Sequence, residues 1–158
     1  MEEPAKKRRR IVVGALSPNR TRILVHKINK QAMWDLPDSH IHWVVGKRLK
    51  SEPFLTACSL LNDATLGILG DAKQIQQGMK TERKILPTGG FIYIFENSQD
   101  DQSRRVPLNF YVNALNNVKR HLGMKEFQTE LHEISEIKDE KAHLKYGSIT
   151  IESIRSIL

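Results

Sequence analysis

Lys6-Lys-Arg-Arg-Arg-Ile-Val-Val-Gly-Ala-Leu16 runs five consecutive cations straight into a β-branched apolar segment, and Arg22-Ile-Leu-Val-His-Lys-Ile28 repeats the apolar pattern shortly after. Between them lies Ser17-Pro-Asn-Arg-Thr21, whose Pro and Asn are turn formers, so Arg10–Leu16 and Arg22–Ile28 read as the arms of a hairpin. A third run, His40-Ile-His-Trp-Val-Val-Gly46, alternates as a strand does and ends in Lys47-Arg-Leu-Lys50. The simplest arrangement of the three is an antiparallel meander.

Further along, Ser51 is an N-cap, and Glu52 and Pro53 suit a first helical turn, where a carboxylate and a missing N–H are both favoured. The helix that follows is apolar on nearly every side from Phe54 to Leu69, the pattern of a buried central helix. Gly67 and Gly70 break it before a more polar segment that ends near Lys80. Pro87-Thr-Gly-Gly90 is a turn, and Phe91-Ile-Tyr-Ile-Phe95 is a central strand, with aromatic and β-branched residues on both faces. After a polar loop, Pro107 opens a second helix that ends on Lys119-Arg-His121 and Gly123, as the helix dipole and C-cap rules favour. Phe127, Leu131, Ile134 and Ile137 fall at helical spacing and predict a third helix, although Thr129 and Leu131 allow an extended start. His143–Tyr146 and Ile149–Glu152 flank Gly147-Ser148 and read as a hairpin.

The expected fold is α+β: an N-terminal antiparallel β-meander, a central buried helix, a central aromatic strand, two further helices and a C-terminal β-hairpin. Residues 1–10 read as a basic flexible arm and residues 11–158 as one domain. A chain of 158 residues buries roughly 68–70% of its unfolded surface and needs no metal or disulfide to fold. The single cysteine, Cys58, lies in the apolar run Phe54–Leu61, which excludes a disulfide framework or Cys-x-x-Cys zinc site and predicts a buried thiol. With no apolar stretch near 20 residues and no apolar segment after the basic start, neither secretion nor membrane spanning is expected, which leaves the nucleus with a cytoplasmic pool.

Charge is unevenly placed. Residues 1–50 carry +8, residues 51–128 carry +1 and residues 129–158 carry −2 of the net +7, the asymmetry expected when one part of a chain meets a polyanion. Lys6, Lys7, Arg8, Arg9 and Arg10 suit a nuclear-import receptor. In a meander, Lys47, Arg48 and Lys50 would come beside Arg20 and Arg22, and the opposite end would gather Arg8, Arg9, Arg10, Lys27 and Lys30. Two basic clusters on one sheet could supply phosphate contacts, with Arg20, Arg22, Lys27, Lys30, Lys47, Arg48 and Lys50 as the candidates and Trp34 and Trp43 as stacking surfaces for single-stranded nucleic acid. Ser17, followed by Pro18, is a candidate phosphorylation position beside the basic run.

Other patterns point away from chemistry. His40 and His42 share a strand face and His26 could join them, but no fourth metal ligand is evident, so structural histidines are the expectation. Gly89–Phe95 lacks the leading cation of an RNA-recognition strand and has Ile92 where a small residue is needed, so its aromatics are read as core. No phosphate-binding Gly-x-x-x-x-Gly-Lys loop, Gly-x-Ser-x-Gly elbow or His-Glu-x-x-His helix occurs, and no cofactor is implied. The expected protein is a non-enzymatic nuclear binder of nucleic acid or nucleoprotein. The alternative is a self-associating assembly protein, matrix-like or accessory as in viruses, that bridges a nucleocapsid and an anionic membrane surface.

Overall fold

The structure, a computed structural model, describes residues 6–17, 20–27, 33–44, 52–96, 108–124, 127–139 and 145–157. In chain order these form β1 (Lys6–Leu16), β2 (Arg22–His26), β3 (Asp38–Val44), α1 (Glu52–Ala64), α2 (Ala72–Gly78), β4 (Lys80–Ile85), β5 (Phe91–Glu96), α3 (Leu108–His121), β6 (Thr129–Glu133), α4 (Ile134–Ile137) and α5 (Ser148–Ile157). The class is α+β, as the sequence implies.

The strands join one sheet, ordered β4-β5-β1-β2-β6, with β3 also against β1. β1 outlasts every neighbour. Ile11–Leu16 run parallel to Phe91–Glu96, while Lys6–Val12 pair antiparallel with Val44–Asp38 and Leu16 pairs with Ile23. Because β5 overlaps both partners' stretches, β3 and β2 share the opposite edge of β1, one after the other. Val13 N donates to Pro37 O (3.0 Å) where β3 ends.

The pleat of β1 divides the interior in two. Val12 and Leu16 pack with Ile134, Ile137, Ile151, Ile154 and Ile157 beneath α4 and α5. Ile11, Val13 and Ala15 pack with Ala57, Cys58, Leu61 and Ile75 beneath α1 and α2. A strand covered on both faces has no place for alternating polar residues, which accounts for the unbroken apolar run Ile11–Leu16. Burying each Ile, Val or Leu there stabilises the fold by about 1.5–3 kcal/mol.

Five expectations need correction. The meander is broken: β3 lies on β1 and not on β2, because an eleven-residue strand offers one edge to both. The basic run is no free arm, since β1 begins at Lys6 and pairs Lys6–Arg10 with Val44–His40. α1 covers one sheet face without being buried all round, for Leu55, Ser59 and Asp63 are exposed. It stops at Ala64, and Leu66, Gly67 and Gly70 take left-handed backbone before Asp71 starts α2 through a reciprocal capping box with Gln74.

The fourth correction is at the C-terminal end, where the sequence suggests a hairpin and the chain forms α5. Its first turn is capped from afar: Asp35 Oδ1 accepts from Thr150 N (3.2 Å) and from Thr150 Oγ1 (2.5 Å). The third helix is reduced to α4, preceded by β6, which pairs antiparallel with β2. The extended start that Thr129 and Leu131 allow is therefore what forms. The turn at Pro87–Gly90, the central strand β5 and α3 with its cationic last turn are as the sequence implies, and Cys58 is buried.

Candidate polyanion-binding site

The basic residues of the first third meet different fates. Arg20 sits in the β1–β2 turn with φ 57°, left-handed backbone that is costly for any residue but glycine. Its guanidinium donates to Glu82 Oε2 through Nη2 (2.8 Å) and to Glu96 Oε2 through Nε (3.0 Å). Those hydrogen bonds raise the Arg20 pKa, and the bond from Arg20 holds the Glu82 carboxyl below its usual range. Arg22 Nε donates to Glu133 Oε1 across the β2–β6 pair (2.8 Å). Lys27 Nζ lies 4.9 Å from the Trp34 ring centroid, and the Trp34 ring meets His132 edge-on. Arg20, Arg22 and Lys27 are thus engaged within the molecule. Lys30, Lys47, Arg48 and Lys50 lie outside the described residues.

The expected juxtaposition of Lys47, Arg48 and Lys50 with Arg20 and Arg22 also loses its basis. Val44, the end of β3, pairs with Lys6, at the opposite end of β1 from the Leu16–Ile23 pair. Ser17 belongs to the turn itself: its Oγ accepts from Arg22 N (3.1 Å) and its carbonyl from Arg20 N (2.9 Å).

A basic concavity forms elsewhere, from residues the sequence suggested for import. β5 starts at Phe91 opposite Ile11, so β1 continues past it, and the Pro87–Gly90 turn curls against that overhang. Arg9, Arg10 and His40 line an open concavity of about 510 Å³ with Thr88, Gly89 and Gly90. The turn is held on two sides. Arg9 Nη1 donates to Gly89 O, while Thr88 N and Oγ1 both donate to Glu152 Oε1 on α5 (3.0 and 2.7 Å). Gly90 is required here because a Cβ would stand 2.6 Å from Arg10 O.

Arg10 Nε is buried and has no hydrogen-bond acceptor among the described residues; Asp38 Oδ2 is 3.7 Å away, too far to supply one. The Arg10 side chain also lines the concavity, which places two guanidinium groups around one space. Two arginines on a strand beside a braced turn suit the bidentate recognition of phosphate. The signal was present in Arg9-Arg10, but the glycines that complete the site are 80 residues away and could not be matched to it from sequence.

Two further clusters bear on chemistry. Tyr146 Oη and His132 Nδ1 are 2.5 Å apart, and His132 Nε2 is 3.0 Å from Glu130 Oε2, an order that resembles a carboxylate–histidine–hydroxyl relay. Tyr146 is nonetheless buried, and desolvation pushes its pKa up, so the hydroxyl stays protonated. Its backbone bridges to Trp34, and the cluster reads as packing between β6 and the start of α5. His26 closes β2 and bonds to Thr129, whereas His40 and His42 pair with Arg10 and Arg8 on β1, so the three histidines suggested as metal ligands are not gathered. Among the described residues no group of three or more His, Cys, Asp and Glu is placed to hold a metal ion.

No protein-family model matches the chain, and neither a curated protein sequence nor a solved structure is significantly similar to it.

Proposed function

We propose that the protein is a non-enzymatic binder of nucleic acid or nucleoprotein in the nucleus, and that Arg9 and Arg10 supply its central phosphate contacts. The observation that carries this reading is the gathering of Arg9, Arg10 and His40 with the Thr88–Gly90 turn around one concavity. Lys6, Lys7 and Arg8 precede them on the same strand and add to the local positive charge. Recognition of this kind reads phosphate, so affinity falls steeply with salt and shows little sequence preference.

An import role for Lys6–Arg10 belongs to the same proposal, with one structural condition. The run is paired to β3, so a receptor that binds extended peptide needs β1 released from Val44–His40 first.

The test is a fluorescence-polarisation titration of the whole chain against single-stranded RNA, single-stranded DNA and duplex DNA at several salt concentrations, with anionic vesicle co-sedimentation alongside. Arg9→Ala with Arg10→Ala is expected to reduce the slope of log affinity against log salt by about 1.4–1.8, two phosphate contacts at about 0.7–0.9 each. An unchanged slope removes the concavity from the interface. Vesicle binding without nucleic-acid binding would transfer the proposal to the membrane-bridging assembly reading.

A further inference from the structure

A second cavity, of about 370 Å³, lies where the ends of β2, α1 and α3 converge, remote in sequence from Arg9 and the Gly89–Gly90 turn. Its walls include Leu60, Leu66, Met124 and Phe127, and Lys119 and His26 also line it. Lys119 is the unusual member. It is only 5% exposed, and its Nζ donates to Phe127 O (2.6 Å) and to Thr129 Oγ1 (2.9 Å). Both acceptors are neutral. Among the described residues no carboxylate lies within ion-pair distance of Nζ, and burial lowers the Lys119 pKa. A buried ammonium without a counter-charge is costly, and an ammonium has three donors, of which two are used here.

The hydrogen-bond chain adds a second donor. Thr129 Oγ1 accepts from Lys119, so its own proton has His26 Nδ1 (2.9 Å) as the acceptor in reach. His26, fully buried and held neutral with a pKa of about 3, then carries its remaining proton on Nε2. The order Lys119 to Thr129 to His26 is braced by Asn116, which bonds both backbone groups of Thr129 (2.8 and 3.0 Å). Two acids border the cavity, but neither answers the ammonium: Asp38 faces Arg10 at 3.7 Å, and Asp63 is exposed on the last turn of α1. Charge is therefore unbalanced at the buried end.

We propose that this cavity binds a small carboxylate with an apolar body, the carboxylate accepting from Lys119 Nζ and His26 Nε2 and the body lying along Leu60, Leu66, Met124 and Phe127. The ligand supplies the missing counter-charge, and the apolar walls select against inorganic anions. This site and the basic concavity share no lining residue, so either proposal stands or fails alone.

The test is isothermal titration calorimetry of the whole chain with octanoate, octanol and octylamine, which share one apolar body and differ in the head group. Octanoate is expected to bind saturably with a dissociation constant below about 1 mM and at least about tenfold more tightly than octanol or octylamine. Lys119→Met, which keeps the stem and removes the charge, should bring octanoate down to the level of octanol. Met124→Trp, which narrows the cavity without touching Lys119, should abolish both. Octanoate binding no tighter than octylamine in the unaltered chain, or unchanged in either variant, would overturn the proposal. The head-group comparison needs no substitution, so it decides the matter even if a variant does not fold.

Discussion

His26 makes this fold sensitive to acid. Burial and the neighbouring Lys119 charge depress its pKa from 6.5 to about 3, so between those values the unfolded chain carries a proton there that the folded chain lacks. Stability from this residue is fully present above about pH 6.5 and is lost as pH falls toward 3, with a slope of up to about 1.4 kcal/mol per pH unit. Urea unfolding at a series of pH values should display this fall. In His26→Asn, whose side-chain oxygen can replace Nδ1 as the acceptor for Thr129, the fall should be shallower by one proton. Gly147 is a second decisive residue: a Cβ there would collide with the Asp35 carboxylate that caps α5, so Gly147→Ala should lower the urea midpoint by more than a typical surface substitution. At this scale the sequence was legible where neighbours are local, as with Cys58 in its apolar run. Arg20 and Arg22 look like phosphate contacts in the sequence because their partners Glu82, Glu96 and Glu133 stand 62, 76 and 111 residues away.

Among the elements, α5 and β6 show how tertiary contact overrides local preference. Ile149-Thr-Ile-Glu152 has the β-branched content of a strand, yet Ile151, Ile154 and Ile157 recur at a helical spacing and face the sheet. The deciding cap comes from Asp35, 115 residues upstream, which no local window includes. Asp35→Ala should therefore cost about 1–2 kcal/mol in urea unfolding and reduce helical circular dichroism, since it removes an N-cap and leaves buried donors unpaired. Asp71→Ala, which breaks a local and exposed capping box, should cost about 1 kcal/mol. β6 was hidden for the converse reason: its residues share helical spacing with α4, and only pairing with β2 draws Thr129–Glu133 into the sheet.

Across the whole molecule, the excess charge of the first third is partly cancelled in place. Arg22 and Glu133 form a cross-strand pair, so replacing both with Ala, a charge-neutral change, should leave the salt dependence of nucleic-acid binding unaltered, in contrast to the Arg9 and Arg10 substitutions. Composition shows where the excess positive charge lies but not which cations face outward, because that depends on which strand lies beside β1. The three-strand meander and the two-faced sheet are both consistent with the same apolar runs, and the length of β1 decides between them by giving one edge to two partners.

One helix closes the interior. α5 covers the sheet face of Val12, Leu16 and Ile92, takes its cap from Asp35, and holds the Thr88 turn through Glu152. While the chain is being synthesised, that face stays open to solvent until residues 148–157 have emerged, so the nascent protein passes through a stage at which general chaperones have an apolar surface to hold. The basic concavity shares part of this timing, since one of the two braces on the turn that floors it, Glu152, arrives with α5.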